Sequence, residues 1–230
     1  MIGFALGGCA NAPPGLAAAG DPDILLLGEQ HDAARHQRWH FEAVRTLAAR
    51  GRLAALALEM AEEGRSTAGL PANADEAAVR AALGWNEKAW PWAPYAPPVM
   101  AAVRAGVPVL GANLPRARMR AAMADVTLDA LLPPEALARQ QGAVRNGHCG
   151  LLPESQIAPM TRIQLARDRA MAQTLAAAAR PGASVVLLAG SGHVDEAVGV
   201  PRHLPGGLSA KALSWPAEPA NKDYCADLRK

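Results

Sequence analysis

The chain has 230 residues, of which 50% are hydrophobic and 19% charged, too apolar for a disordered or fibrous protein and long enough for one well-buried domain. Its 23 basic and 21 acidic residues leave a net charge of +2, which gives no electrostatic case for binding nucleic acid or an anionic membrane surface. No apolar run reaches the roughly 18–20 residues of a membrane-crossing helix, and with aromatics at only 4% the core has to be built from Ala, Leu and Val.

The first residues form a short apolar run that closes in Leu6-Gly7-Gly8-Cys9. That stretch resembles a lipobox, in which a small residue precedes a cysteine that takes lipid and becomes the mature N-terminus. No basic segment precedes it, so either the signal starts upstream of Met1 or the run is a frayed apolar terminus. Residues 10–22, rich in Ala, Pro and Gly, read as a linker. The division expected is an anchor and linker over 1–22, one domain over 23–216 and a tail over 217–230.

Four apolar runs, at residues 23–27, 53–58, 107–110 and 184–189, read as buried strands, and 210–215 reads as a fifth at the edge. Helical patterns lie between them at 33–50, 74–83, 98–105 and 155–180. Near-continuous apolar strands alternating with helices predict an α/β fold, a largely parallel sheet covered by helices on both faces. Residues 84–98, with Trp85, Trp90, Trp92 and Tyr95 among prolines, read as a long irregular insertion, and 128–153 as a short helix followed by a loop.

The residues that follow each run carry the chemistry. The first strand ends in Gly28-Glu29-Gln30-His31, the second in Glu59-Met60, the third leads into Asn113 and Arg116, and the fourth ends in Gly190-Ser191-Gly192-His193. Ligands of open α/β sheets sit outside the carboxyl ends of the strands. Glycine lets the chain turn and a ligand approach, and imidazole can bind metal, hydrogen-bond or carry a proton. Two Gly-x-x-His motifs, each after a strand, with Glu59 after a third, therefore predict one shared rim. Loop capping by both histidines is the plain alternative. His36 and His40, spaced i, i+4 among charged residues, read as a solvated helix face, and His203 as a surface turn. Met160, Gln164, Arg167 and Met171 share one face of the long helix, which is expected to look partly into the pocket. With Cys9 lipidated, Cys149 and Cys225 remain, to pair in an oxidising compartment or to stand as two free thiols.

Assembled in chain order, residues 25–31 (LLLGEQH), 57–60 (ALEM), the Trp/Pro segment before Tyr95, 108–116 (PVLGANLPR), 148–153 (HCGLLP), 164–172 (QLARDRAMA), 186–193 (VLLAGSGH) and 199–201 (GVP) resemble the ChaN family. Its members are haem-binding bacterial lipoproteins of the Tiki/TraB-like superfamily. The resemblance implies a domain tethered to the bacterial envelope, at the periplasmic side of the outer membrane, that serves haem and iron acquisition and can dimerise around stacked b-type haems. It also implies a tyrosine as iron ligand. Of Tyr95 and Tyr224, the former is the expected ligand, with Trp90, Trp92, Pro97 and Met100 as apolar wall. His148, His31 and His193 are expected near the iron, Arg116 or Arg118 at the propionates, and Asn113 and Gln164 in the pocket. The superfamily implies an alternative: a divalent metal on His31, Glu59 and His193 serving a hydrolase or peptidase, with Glu29 as general base.

Overall fold

The computed structural model describes residues 12–220 and 223–229. Cys9 and its lipobox-like stretch lie outside them. Five strands, β1 (Ile24–Glu29), β2 (Leu53–Glu62), β3 (Val109–Asn113), β4 (Ser184–Gly190) and β5 (Ala210–Ser214), form one sheet in the order β3-β2-β4-β1-β5. Every pairing is parallel, so all carboxyl ends leave the sheet at the same edge.

Strand side chains alternate between two covered faces, which is why the runs read as continuous apolar sequence. Leu25, Leu27, Leu56, Leu58, Val186 and Leu188 pack against α1 (Ala34–Ala49), α2 (Glu76–Leu83) and α3 (Trp92–Arg104). Ile24, Leu26, Ala55, Ala57, Val185 and Leu187 face Met171, Ala172 and Leu175 of α6 (Glu154–Ala178). Truncating one of these fully buried leucines, such as Leu187, would cost about 2–5 kcal/mol. A smaller cluster joins Leu114, Ala122, Leu128 and Leu165 where α4 (Arg116–Ala124) meets α6.

The α/β architecture expected from the sequence is the one found, with differences of extent. The supposed irregular insertion is a loop only over 84–91: α3 begins at Trp92 and holds Pro97 and Pro98 within it. Its Trp92, Tyr95, Val99, Ala102 and Val103 recur at helical spacing and are buried, and Glu87 Oε1 accepts the Trp92 N–H at 3.0 Å. That tertiary burial outweighs the interior-proline cost of about 3 kcal/mol. The stretch read as a short helix followed by a loop is largely the 14-residue α5 (Pro134–Gly147), whose inner face buries only Gln140 and Val144, and α4 buries only Ala122. Neither helix has an apolar stripe that sequence periodicity could register. The linker also differs from expectation: Leu16 and Ala19 pack on the core, and Trp215 Nε1–H donates to the Pro14 carbonyl at 3.2 Å.

Cys149 and Cys225 are joined in a disulfide across 76 residues, with Cα atoms 5.7 Å apart. Closing a loop of that length stabilises a chain by roughly 4 kcal/mol on the loop-entropy model. The bond ties the short helix α7 (Tyr224–Leu228) to the turn after α5.

Candidate functional site

β4 lies between β1 and β2, so three strand ends distant in sequence adjoin. Glu29 sits opposite Gly190 in the β1–β4 register. The Tyr95 hydroxyl donates to Glu29 Oε1 at 2.6 Å, and His31 Nδ1 bonds the same oxygen at 2.8 Å. Buried His40 brings Nδ1 to 3.4 Å from Glu29 Oε2. Glu59 Oε2 accepts the Gly190 N–H at 2.7 Å and lies 4.0 Å from His31 Nε2. Its Oε1 is 3.4 Å from His193 Nε2, and His193 Nδ1 is 2.6 Å from Asp168 Oδ1. The side chains form one chain of polar contacts: Tyr95, Glu29, His31, Glu59, His193, Asp168. Both Gly-x-x-His motifs and Glu59 thus meet at one rim.

The motif glycines are there for close approach. Neither Gly28 nor Gly190 has positive φ. A Cβ on Gly190 would stand 2.9 Å from His31 Nε2, and one on Gly28 would stand 2.4 Å from Val194 Cγ2. A side chain at either position would take space that the imidazole or the turn after β4 already fills.

The charge states within the cluster are set by its own members. Burial works against a charged His193, but Glu59 and Asp168 outweigh it and push its pKa up to about 10. Burial alone would raise Glu59; the His193 and His31 rings and the Gly190 N–H hold it well below the usual carboxylate range. Burial raises Asp168 against the pull of His193. His31 is also opposed by burial, yet its bond to Glu29 and the charge of Glu59 raise it. Burial drives His40 down to about 4, so its ring is neutral. Burial and the adjacent Glu29 push the Tyr95 phenol far above its ordinary range.

A cleft of about 380 Å³ opens beside Glu59, walled by Met60, Leu83, Trp90, Leu114 and Met119 and edged by Arg65, Arg116 and Arg167. Trp90 stands edge-on to His31, ring centroids 4.8 Å apart. Arg116 and Asn113 line this cleft, Asn113 Nδ2–H donating to the Glu59 carbonyl at 2.8 Å. Arg118 instead pairs with Glu63 at 2.7 Å. On the α6 stripe, Arg167 lines the cleft while Met171 is in the core under the strands. A 25-residue helix outruns a 7-residue strand, so one face serves both sheet and rim. Gln164 is half-buried and outside the cleft lining.

Several expectations are corrected by packing. Trp92 and Met100, offered as a cofactor wall, are core residues, Trp92 Nε1–H donating to Glu76 at 2.7 Å. Tyr95 lies on that same inner face, 2% exposed, and its committed hydroxyl is at odds with an iron ligand presented to a cleft or surface. His36 and His40 are buried rather than solvated; His36 Nδ1 accepts the Gln30 N–H at 3.0 Å and Nε2 contacts the Pro216 carbonyl at 3.2 Å. They fall on the apolar stripe of Ala43, Val44 and Leu47, a signal that flanking charges masked. His203 is half-buried. Asp168, missed as a site residue, recurs with Leu165, Ala172 and Leu175 at helical spacing and is fully buried; an acid on an apolar stripe was the readable sign.

His148 Nδ1 contacts the Val144 carbonyl at 2.8 Å, next to the disulfide. Across that bond, Tyr224 is 46% exposed, and its hydrogen bond to Asp32 raises its phenol. Among the described residues no three His, Cys, Asp or Glu side chains converge with metal-holding geometry. His31, Glu59 and His193 meet as an ion-paired chain, Glu59 already accepting from Gly190.

The sequence profile of a family described as haem-binding uptake, Tiki superfamily, ChaN matches residues 16–204. A solved structure described as cofacial haem binding to ChaN of Campylobacter jejuni is similar in fold, with a TM-score of 0.69 at 22% identity over 90% of this chain and 86% of that one. No curated protein matches.

Proposed function

The chain belongs to the ChaN family of the Tiki superfamily, and from that premise we propose that it binds haem at the rim running from the Glu59 cleft to the disulfide. The observation that carries this reading is continuity of suitable groups. Guanidinium groups edge an apolar cleft, Trp90 connects that cleft to His31, and Asp32 next to His31 bonds Tyr224. Beyond Tyr224 the disulfide leads to His148. An apolar pocket with a few convergent charged groups suits an amphipathic dianion, and Arg pairs well with carboxylates.

Bound haem would supply a ferric centre that phenolate oxygen suits. Tyr224 is the exposed tyrosine and the candidate donor, its hydroxyl hydrogen-bonded to Asp32; His31 is the chain neighbour of that aspartate, and His148 of the disulfide's Cys149. Arg116 and Arg167 are candidates for the propionates. Non-covalent, b-type binding is supported by the disulfide, which occupies both described cysteines. That disulfide also fits an oxidising compartment. The reading extends to a lipid-anchored protein held by Cys9 at the outer membrane, facing the periplasm, and to a homodimer around stacked haems in haem or iron acquisition. The deciding experiment is a haem titration followed by absorption, with Tyr224→Phe and Tyr95→Phe compared. The mass of protein extracted from membranes tests lipidation, and sedimentation with and without haem tests dimerisation.

A further inference from the structure

Resting on the haem reading but separable from it, we propose that the arginine-edged cleft recognises the carboxylates and apolar body of a porphyrin independently of iron. The chain would then bind metal-free dicarboxylate porphyrins as a class.

Arg65, Arg116 and Arg167 line the cleft, and none of the three guanidinium groups has a hydrogen bond or ion pair among the described residues. Arg167 Nε is buried without a hydrogen-bond partner, a donor whose desolvation an incoming acceptor would offset. The two carboxylates in the lining offset only part of this charge, since three guanidinium groups stand against them. Glu59 is matched by His193 and the Gly190 N–H, and Glu62 accepts the Arg116 backbone N–H at 2.9 Å. Between the arginines the walls are thioether, indole and aliphatic. The lining contains no histidine, cysteine or tyrosine, so the cleft provides charge and apolar contact but no imidazole, thiolate or phenolate for iron. The nearest such groups, His193 and His31, lie outside the lining and face Glu59, at 3.4 Å and 4.0 Å from its carboxylate oxygens.

The test titrates the intact protein with metal-free protoporphyrin and, separately, with its dimethyl ester, read by porphyrin fluorescence and Trp quenching. The diacid should bind saturably, and the ester at least tenfold more weakly, since each lost charge-assisted hydrogen bond is worth about a factor of ten or more. Arg116→Met with Arg167→Met should weaken the diacid at least tenfold, and Arg116→Met alone, an exposed change that spares the fold, should give a measurable part of that loss. Arg118→Met, whose side chain pairs with Glu63, should change nothing. Equal binding of ester and diacid, or an unaffected double variant of native circular dichroism, would overturn the proposal. Haem binding without diacid binding sinks it and spares the haem reading; diacid binding without a haem spectrum does the reverse.

Discussion

Replacing Gly190 by Ala separates the two tasks of the motif glycines. The new Cβ would stand 2.9 Å from His31 Nε2 and 3.2 Å from Cε1, too close to coexist. Yet the obstacle is the tip of a side chain that keeps 39% exposure, and Gly190 has φ −58°, which alanine adopts without strain. His31 can therefore swing outward. That loses its contact with Glu29, gross roughly 1.5–3 kcal/mol for a charge-assisted bond, reduced to about 1 kcal/mol by solvent at this exposure. Alanine returns about 0.4–1 kcal/mol through the unfolded chain, so Gly190→Ala should be nearly neutral in urea denaturation. In Gly28→Ala the Cβ meets Val194 Cγ2 at 2.4 Å and the Ser191 backbone at 3.1 Å. Both belong to the interior, and overpacking there should cost about 1–3 kcal/mol or more. NMR titration should find the His31 pKa in Gly190→Ala returned toward its ordinary value, because the carboxylates that raise it are left behind. An unchanged His31 titration, or a Gly190 variant less stable than the Gly28 variant, would refute the close-approach argument.

Tyr95→Phe should lower stability by about 1–3 kcal/mol, because Glu29 loses a buried donor, while leaving any haem spectrum as in the wild type; denaturation and absorption on the same sample check both. Cys149→Ser should cost roughly 4 kcal/mol and detach the tail, seen as faster amide exchange in α7. Stability should fall in acid: His40 is held near 4 in the fold against 6.5 when free. The folded state binds fewer protons there, so roughly 3 kcal/mol present above pH 6.5 is lost as pH falls through 4. On the alkaline side, His193 has its folded pKa raised to about 10. Its contribution is complete below pH 6.5 and disappears as pH rises through 10, so denaturation midpoints should decline at both ends.

The sheet was legible because strands covered on both faces must be apolar throughout, as β1 to β4 are, while the exposed β5 reads as an edge. Gly28, Glu29, His31, Glu59 and His193 were legible because the parallel arrangement carries every strand end to one edge. What periodicity could not reveal were elements with little to bury, such as α4, or with prolines masking an apolar face, as in α3. Polar residues on apolar stripes were misread or missed for a related cause: charged neighbours made His40 look solvated and hid Asp168, when each is buried against a partner from another element. Tyr95 illustrates the limit most clearly. The family resemblance marked it as a ligand, while its helical phase, shared with Trp92 and Val99, turns it to Glu29.

Absorption spectroscopy of the haem-free protein titrated with ferric haem bears most directly on the central claim. A Soret band that saturates at one haem per chain, with tyrosinate-like high-spin features changed by Tyr224→Phe and untouched by Tyr95→Phe, is the expected result. A titration without saturation, or a spectrum that only the Tyr95 variant alters, would contradict it.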